Sequence, residues 1–216
     1  MRVVIFGATG MVGQGVLRES LLADDVESVL VIGRTSTGRQ HPKLREIAHA
    51  DFTDFTAIAG ELVGLDACFY CLGVSAAGRS EADYTHVTYD YTLAAARALA
   101  EASPGVTFIY VSGAGTDSSE RGRMMWARVK GRTENAVLDL FPNGYAFRPG
   151  FIQPTHGAVS RTGWYRRLYR VTRPLYPVLR RLFPGHVTTT ELVGRAMLRV
   201  AREGFSQRVL ESRDLG

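Results

Sequence analysis

The chain of 216 residues has no apolar run near the roughly 18 residues that a helix needs to cross a bilayer. It also has no internal repeat, no low-complexity tract and no linker-like stretch. These absences exclude a helical membrane span, a solenoid and a string of loosely joined modules. One domain with a full core is expected. The first residues already read as a strand, which leaves no room for a secretory leader, and a cytoplasmic location follows by default. Cysteine is scarce. The two present, Cys68 and Cys71, lie in the strand-like run Leu65-Asp66-Ala67-Cys68-Phe69-Tyr70-Cys71-Leu72. Residues three apart on a strand point to opposite faces, so this pair shares neither a disulfide nor a metal. The five histidines are scattered without ligand spacing, and no metal site is expected. Lysine is scarcer than the charge suggests. Of 26 basic residues only Lys43 and Lys130 are lysines, and the net charge is +5. Such a balance permits nucleic-acid or membrane contact, but no nucleic-acid motif occurs. A phosphate-bearing small ligand and a solvated basic face are the expectation.

What is present is concentrated at the start. The apolar strand Arg2-Val3-Val4-Ile5-Phe6 runs straight into Gly7-Ala8-Thr9-Gly10-Met11-Val12-Gly13. The β-prone residues suit a buried parallel strand. Gly7 allows the tight turn, Gly10 lets backbone N–H groups approach a pyrophosphate, and Gly13 lets the next helix pack close to the sheet. That helix, from Met11 to Ala23, aims its positive end at the phosphates. The spacing is G-x-x-G-x-x-G. After a strand and before a helix it marks a dinucleotide site, with Thr9, Met11 and Val12 in its loop.

The rest of the chain alternates. Strand-like runs are Val3–Phe6, Ser28–Ile32, Arg45–His49, Ala67–Leu72, Thr107–Ser112 and Tyr145–Arg148. Helix-like runs are Met11–Ala23, Phe55–Ala59, Glu81–Ala102, Arg123–Leu140 and Thr190–Glu203. Right-handed crossovers between parallel strands follow, hence an α/β doubly wound parallel sheet, the Rossmann fold, over residues 1–216. Ligands of such sheets lie beyond the carboxyl ends of the strands. The second strand ends at Gly33-Arg34, where an acid would bind the ribose 2′-hydroxyl of NAD. Arg34 suits a 2′-phosphate instead, so NADP(H) is favoured over NAD(H). The third ends at Asp51-Phe52. Asp51 either accepts from the adenine amino group, with Phe52 beside the ring, or closes a turn. The fourth ends at Leu72-Gly73, with close backbone approach to the cofactor at Gly73. The fifth ends at Ser112, which either orients a substrate carbonyl or begins a turn.

These residues, with the run Arg148-Pro149-Gly150, resemble the short-chain dehydrogenase/reductase superfamily. The likeness is to its atypical epimerase/dehydratase-like branch, similar to the Tat-interacting oxidoreductase-like group. The segment Trp126-Ala127-Arg128-Val129-Lys130-Gly131-Arg132-Thr133-Glu134 is a particular point of likeness. The resemblance implies a Ser, Tyr and Lys working together, with the last two spaced Tyr-x-x-x-Lys on one helix face. Lys130 then binds the nicotinamide ribose, Ser112 orients the substrate, and Pro149, Gly150, Phe151 and Ile152 meet the nicotinamide end. The chain departs from the pattern at Trp126, whose indole is a donor that does not cycle a proton near neutral pH. Either another group supplies the proton (Ser112, a water held by Lys130, or a tyrosine such as Tyr84 or Tyr165), or the chemistry needs none, or catalysis is lost.

Residues 151–187 are expected to cover the substrate. Between Arg161 and Arg181 they carry seven arginines, no acid and several aromatics. A helix packed on the core, an apolar cover over the site and a basic face on an anionic membrane all remain open, with Pro174 and Pro177 limiting the last. The expected function is NADP(H)-dependent oxidoreductase or epimerase-like chemistry on a small apolar carbonyl compound. The alternative is a non-catalytic NADP(H)-binding regulator. The substrate is then the main partner, without nucleic acid, and a homo-oligomer is compatible with the sequence.

Overall fold

A computed structural model describes residues 1–159 and 185–216. The readings on Arg161–Arg181, Tyr165 included, lie outside the described residues. Strand β1 (Arg2–Phe6) is followed by helix α1 (Met11–Leu22), β2 (Ser28–Gly33), β3 (Leu44–Ala48), a 3₁₀ segment (Thr56–Leu62) and β4 (Ala67–Tyr70). Then come α2 (Glu81–Thr85), a π turn (His86–Asp90), α3 (Tyr91–Ala102), β5 (Thr107–Val111), α4 (Met125–Leu140) and β6 (Gly144–Arg148). The remainder is β7 (Phe151–Gln153), β8 (Val187–Thr189), a helix here called α5 (Thr190–Glu203), β9 (Val209–Glu211) and a terminal 3₁₀ turn (Ser212–Leu215).

Seven strands form one parallel sheet in the order β3-β2-β1-β4-β5-β6-β9. The order reverses between β1 and β4, which is where a doubly wound sheet opens its ligand crevice. The pleat divides the core. Val3 and Ile5 of β1, Val29 and Val31 of β2, and Phe69 of β4 face α1 and α5. Val4, Phe6, Leu30, Ile32, Cys68 and Tyr70 face α3, α4 and the 3₁₀ segment. Each such side chain stabilises the fold by roughly 1.5–3 kcal/mol before chain entropy is counted. Cys68 falls on the second side, and Cys71, one residue past the end of β4, packs against the first.

The differences from the sequence reading are local. β4 stops at Tyr70, so Cys71 and Leu72 belong to the loop beyond it. The run Phe55–Ala59 is a 3₁₀ segment shifted to Thr56–Leu62. Glu81–Ala102 is helical throughout but is divided by the π turn at His86–Asp90. The parallel pair β7–β8 is an addition, pairing Phe151 with Val187 and Gln153 with Thr189. α1 and α5 meet so closely that a Cβ on Gly15 would stand 2.5 Å from the Thr190 carbonyl oxygen.

Candidate active site

The turn after β1 is fixed by Gly7. Its φ of +77° is left-handed, and a Cβ there would lie 2.6 Å from the Leu72 backbone nitrogen. Only glycine lets the ends of β1 and β4 come this close. Gly13 does the same for α1: a Cβ would be 2.2 Å from the Gly7 carbonyl oxygen. Gly10 caps α1 without a side-chain hydrogen bond, and the first turn holds no acid. The N–H groups and the positive end of α1 therefore face the crevice open to an anion.

Around this turn lies a cavity of about 120 Å³, walled by Gly7, Thr9, Gly10, Arg34, Phe52 and the Leu72-Gly73 pair. Gly73 faces open space. Arg34 is exposed and makes no hydrogen bond or ion pair among the described residues. The strand-end loop behind it is pinned: Glu46 of β3 accepts from the Ser36 hydroxyl at 2.5 Å and from the Thr37 N–H at 2.9 Å. Asp51 does not wall the cavity. Its Oδ1 accepts from the Thr53 N–H at 2.9 Å and from the Thr53 hydroxyl at 2.5 Å, closing a turn, and these bonds hold its carboxyl below the usual range. Phe52 is buried at the cavity's inner wall, edge-on to Phe6 and Phe55.

Cys71, Leu72 and Gly73 are shared with a second, wider cavity of about 530 Å³. Met11, Ser112, Trp126 and Lys130 stand in its wall, as does Tyr84. Its remaining lining comes from Val111 and the loop Val74–Ala77. The Ser112 hydroxyl bonds the Thr116 hydroxyl at 2.9 Å, and the Ser112 carbonyl accepts from Lys130 Nζ at 3.1 Å. Lys130 Nζ also stands 5.5 Å from the centre of the Tyr110 ring. The Trp126 indole edge lies over Gly115, where a Cβ would be 3.5 Å from Cη2.

The two cavities thus form one groove across the carboxyl ends of β1, β2, β4 and β5. A sequence model described as the NAD dependent epimerase/dehydratase family matches residues 3–120, more than half of the chain. The chain belongs to that family. Protein HTATIP2 of Rattus norvegicus is 30% identical over 153 residues, 69% of this chain and 62% of that one. Protein fmp52-2, mitochondrial, of Aspergillus oryzae is 29% identical over 152 residues, 68% of this chain and 66% of the relative. The matched region thus spans just under two thirds of these relatives. Among solved structures, a short chain dehydrogenase/reductase family oxidoreductase from Burkholderia thailandensis superposes with a TM-score of 0.72 at 16% identity, covering 97% of this chain and 89% of that one. DesIV of Streptomyces venezuelae, a dTDP-glucose 4,6-dehydratase with NAD and TYD bound, gives 0.71 at 17% identity over 97% and 74%. At these identities the structural likeness speaks for the fold.

The epimerase/dehydratase family uses an NAD(P) dinucleotide, and the residues of the groove would fit one: a glycine cradle and a helix end without a side-chain cap for the phosphates at one end, an ammonium at the other. Burial pushes the Lys130 ammonium down to about 8, and the charge of Glu134 one turn along partly offsets this. Glu134 itself is fully buried and held by Arg148, whose Nε lies 3.0 Å from one carboxylate oxygen. Arg148 also donates to the Ser118 hydroxyl at 2.5 Å and lies 3.6 Å from Glu211. It is therefore a strut between β6 and α4 in this family member.

Other expected residues do not line these two cavities. Val12 packs on the core and Gly13 sits beneath Gly7. Pro149, Gly150, Phe151 and Ile152 are not in either wall. The Pro149 carbonyl accepts from the Ala114 N–H at 3.0 Å, the Gly150 N–H donates to the Ser212 hydroxyl at 2.6 Å, and Ile152 is buried in β7. The loop Val74–Ala77 was missed by the sequence reading, although its position just past a strand end is the signal that marks it. Among the described residues no helix is long and apolar enough to cross a membrane.

Proposed function

We propose that the chain is an NADP(H)-dependent oxidoreductase that acts on a small apolar carbonyl compound in the cytoplasm. One observation carries the reading: a single groove joins an unpaired arginine, a glycine cradle and a half-buried lysine in the order in which a dinucleotide presents its 2′-phosphate, pyrophosphate and nicotinamide ribose. Arg34 pairs with the 2′-phosphate, where an acid would repel it. The Lys130 ammonium, held toward the floor by the Ser112 carbonyl, donates to the ribose hydroxyls. The Ser112 hydroxyl, oriented by Thr116, donates to the substrate carbonyl oxygen. Leu72, Val74, Val111 and Trp126 give the wider cavity an apolar portion beside Ser112 and Lys130, which suits an apolar substrate that carries a carbonyl. When bound, the reduced dinucleotide supplies hydride equivalents.

Trp126 supports a second reading, a binder without turnover, because an indole does not exchange a proton near neutral pH. The experiment separates the two. Binding of NADPH and NADH is followed by nucleotide fluorescence, and NADPH oxidation is then assayed with apolar aldehydes, ketones and quinones. The oxidoreductase reading expects tighter NADPH binding and oxidation with at least one carbonyl class. Tight binding with no oxidation across the panel selects the binder.

A further inference from the structure

Trp126 removes the phenol expected on α4, yet the wider cavity does hold a phenol. Tyr84 of α2 stands in the same wall as Ser112, Trp126 and Lys130. Its helix is fixed to α4 by the ion pair between Glu81 and Arg128, 2.8 Å apart, and its first turn is capped by Ser80, which accepts from the Asp83 N–H. The Tyr84 ring is buried, with 2% of its surface exposed, and the phenol neighbours that of Tyr110, the ring beneath the Lys130 ammonium.

Two residues beyond Tyr84 the helix widens into the π turn His86–Asp90. Such turns are costly to keep and concentrate at functional sites. This one carries Thr88, whose hydroxyl is fully buried, close to the Tyr84 phenol, and has no well-formed hydrogen bond of its own. A buried hydroxyl without a partner costs about 1–3 kcal/mol. It is retained here beside a group whose oxygen would need a donor once it lost its proton.

We propose that Tyr84 is the proton donor of this site, taking from α2 the part that a tyrosine at position 126 would take from α4. The inference rests on the oxidoreductase reading above. As the carbonyl carbon accepts hydride from the reduced cofactor, the carbonyl π pair moves to oxygen. A new O–H bond forms there while the Tyr84 O–H bond breaks. The Thr88 hydroxyl donates to the transient phenolate, the Lys130 charge in the same cavity favours it, and solvent returns the proton. Burial raises the Tyr84 phenol, with Thr88 opposing in part, so the group is protonated at neutral pH, as a donor must be.

The test compares the parent, Tyr84→Phe and Tyr84→Phe/Trp126→Tyr. Tyr84→Phe should lower kcat by roughly a hundredfold or more, the usual share of a general acid. Its NADPH affinity should stay within about twofold, since the phenol does not hold the dinucleotide. Adding Trp126→Tyr to Tyr84→Phe should recover part of the loss. Independently of turnover, fluorine NMR of fluorotyrosine-labelled protein identifies the resonance missing from Tyr84→Phe, and this resonance should move when NADP⁺ is added to the parent. A Tyr84→Phe enzyme with kcat within about threefold of the parent overturns the assignment and leaves the oxidoreductase reading intact. A Tyr84 resonance unmoved by saturating NADP⁺ overturns it as well. A parent that oxidises NADPH with no carbonyl on the panel sinks the oxidoreductase reading, and the donor role falls with it.

Discussion

Replacing Lys130 by Met should remove a gain in stability that the parent shows as pH rises through the alkaline range. In the folded chain the ammonium is pushed from 10.5 to about 8 by burial. At about 1.4 kcal/mol per unit, this corresponds to about 3 kcal/mol of unfavourable charge burial at neutral pH. The bond from Nζ to the Ser112 carbonyl offsets part of that cost, by roughly 1.5–3 kcal/mol for a charged donor. The two nearly cancel, so at neutral pH Lys130→Met should be within about 1–2 kcal/mol of the parent. The pH dependence does not cancel. Below about pH 8 both folded and unfolded chains hold the proton, and the difference between parent and variant is flat. Between about 8 and 10.5 the unfolded chain binds it and the folded chain does not, so the parent gains stability relative to Lys130→Met, by up to about 3 kcal/mol across the window. Buried tyrosines and cysteines titrate at high pH in both proteins, and subtraction removes them. Urea unfolding of the pair in matched buffers reads the difference directly. A difference that stays level through the window would refute a buried ammonium at this position, and with it the electrostatics of the site.

Three further outcomes are expected. Arg34→Asp should weaken NADPH binding by about 2.5–4 kcal/mol, combining roughly 1.5–3 for a lost charge-assisted bond and about 1 for repulsion in water. That is a loss of roughly seventyfold to a thousandfold, read by fluorescence titration, with NADH little changed; equal losses for both nucleotides would remove Arg34 from the 2′-phosphate site. Gly13→Ala sets a Cβ 2.2 Å from the Gly7 carbonyl oxygen, so α1 must shift. The cost should be at least about 1–3 kcal/mol in thermal unfolding, with weakened dinucleotide binding. Arg148→Met leaves Glu134 buried and unpaired and should cost about 3–5 kcal/mol, part of which Glu134→Gln restores in the double variant, measured by denaturant unfolding.

The order of elements was legible because apolar strands of four or more residues alternate with helices along most of the chain, and that pattern dictates the parallel sheet. The pair β7–β8 was not, since three-residue strands leave too few positions for a period to show. The π turn was invisible for a different reason: no glycine or proline interrupts Glu81–Ala102, so nothing in the composition marks the widened turn. At the site, the glycine spacing pointed to Gly7 and Gly10, the strand-end rule to Arg34, Gly73 and Ser112, and the resemblance to Lys130; all six line the two joined cavities. The resemblance set Pro149–Ile152 at the nicotinamide end; in the structure Gly150 bonds Ser212 of the terminal 3₁₀ turn and Ile152 pairs within β7–β8. Asp51 could not be decided by sequence, because a carboxylate two residues before a threonine serves a turn and a ligand equally well. Tyr84 was one tyrosine among several until the chain crossing placed α2 beside α4.

The small sheet has a consequence for how such a protein can change. Strands β7 and β8 lie side by side although they are far apart in sequence. Two further contacts stand beside this pair: Gln14 of α1 exchanges hydrogen bonds with the Val159 backbone, and Thr155 bonds the Thr190 hydroxyl at the head of α5. None of these contacts uses a residue of the glycine cradle, nor Arg34, Ser112 or Lys130. The fastening of β7 to β8 and α5 is therefore separate from the nucleotide end, and substitutions in one can be made without rebuilding the other.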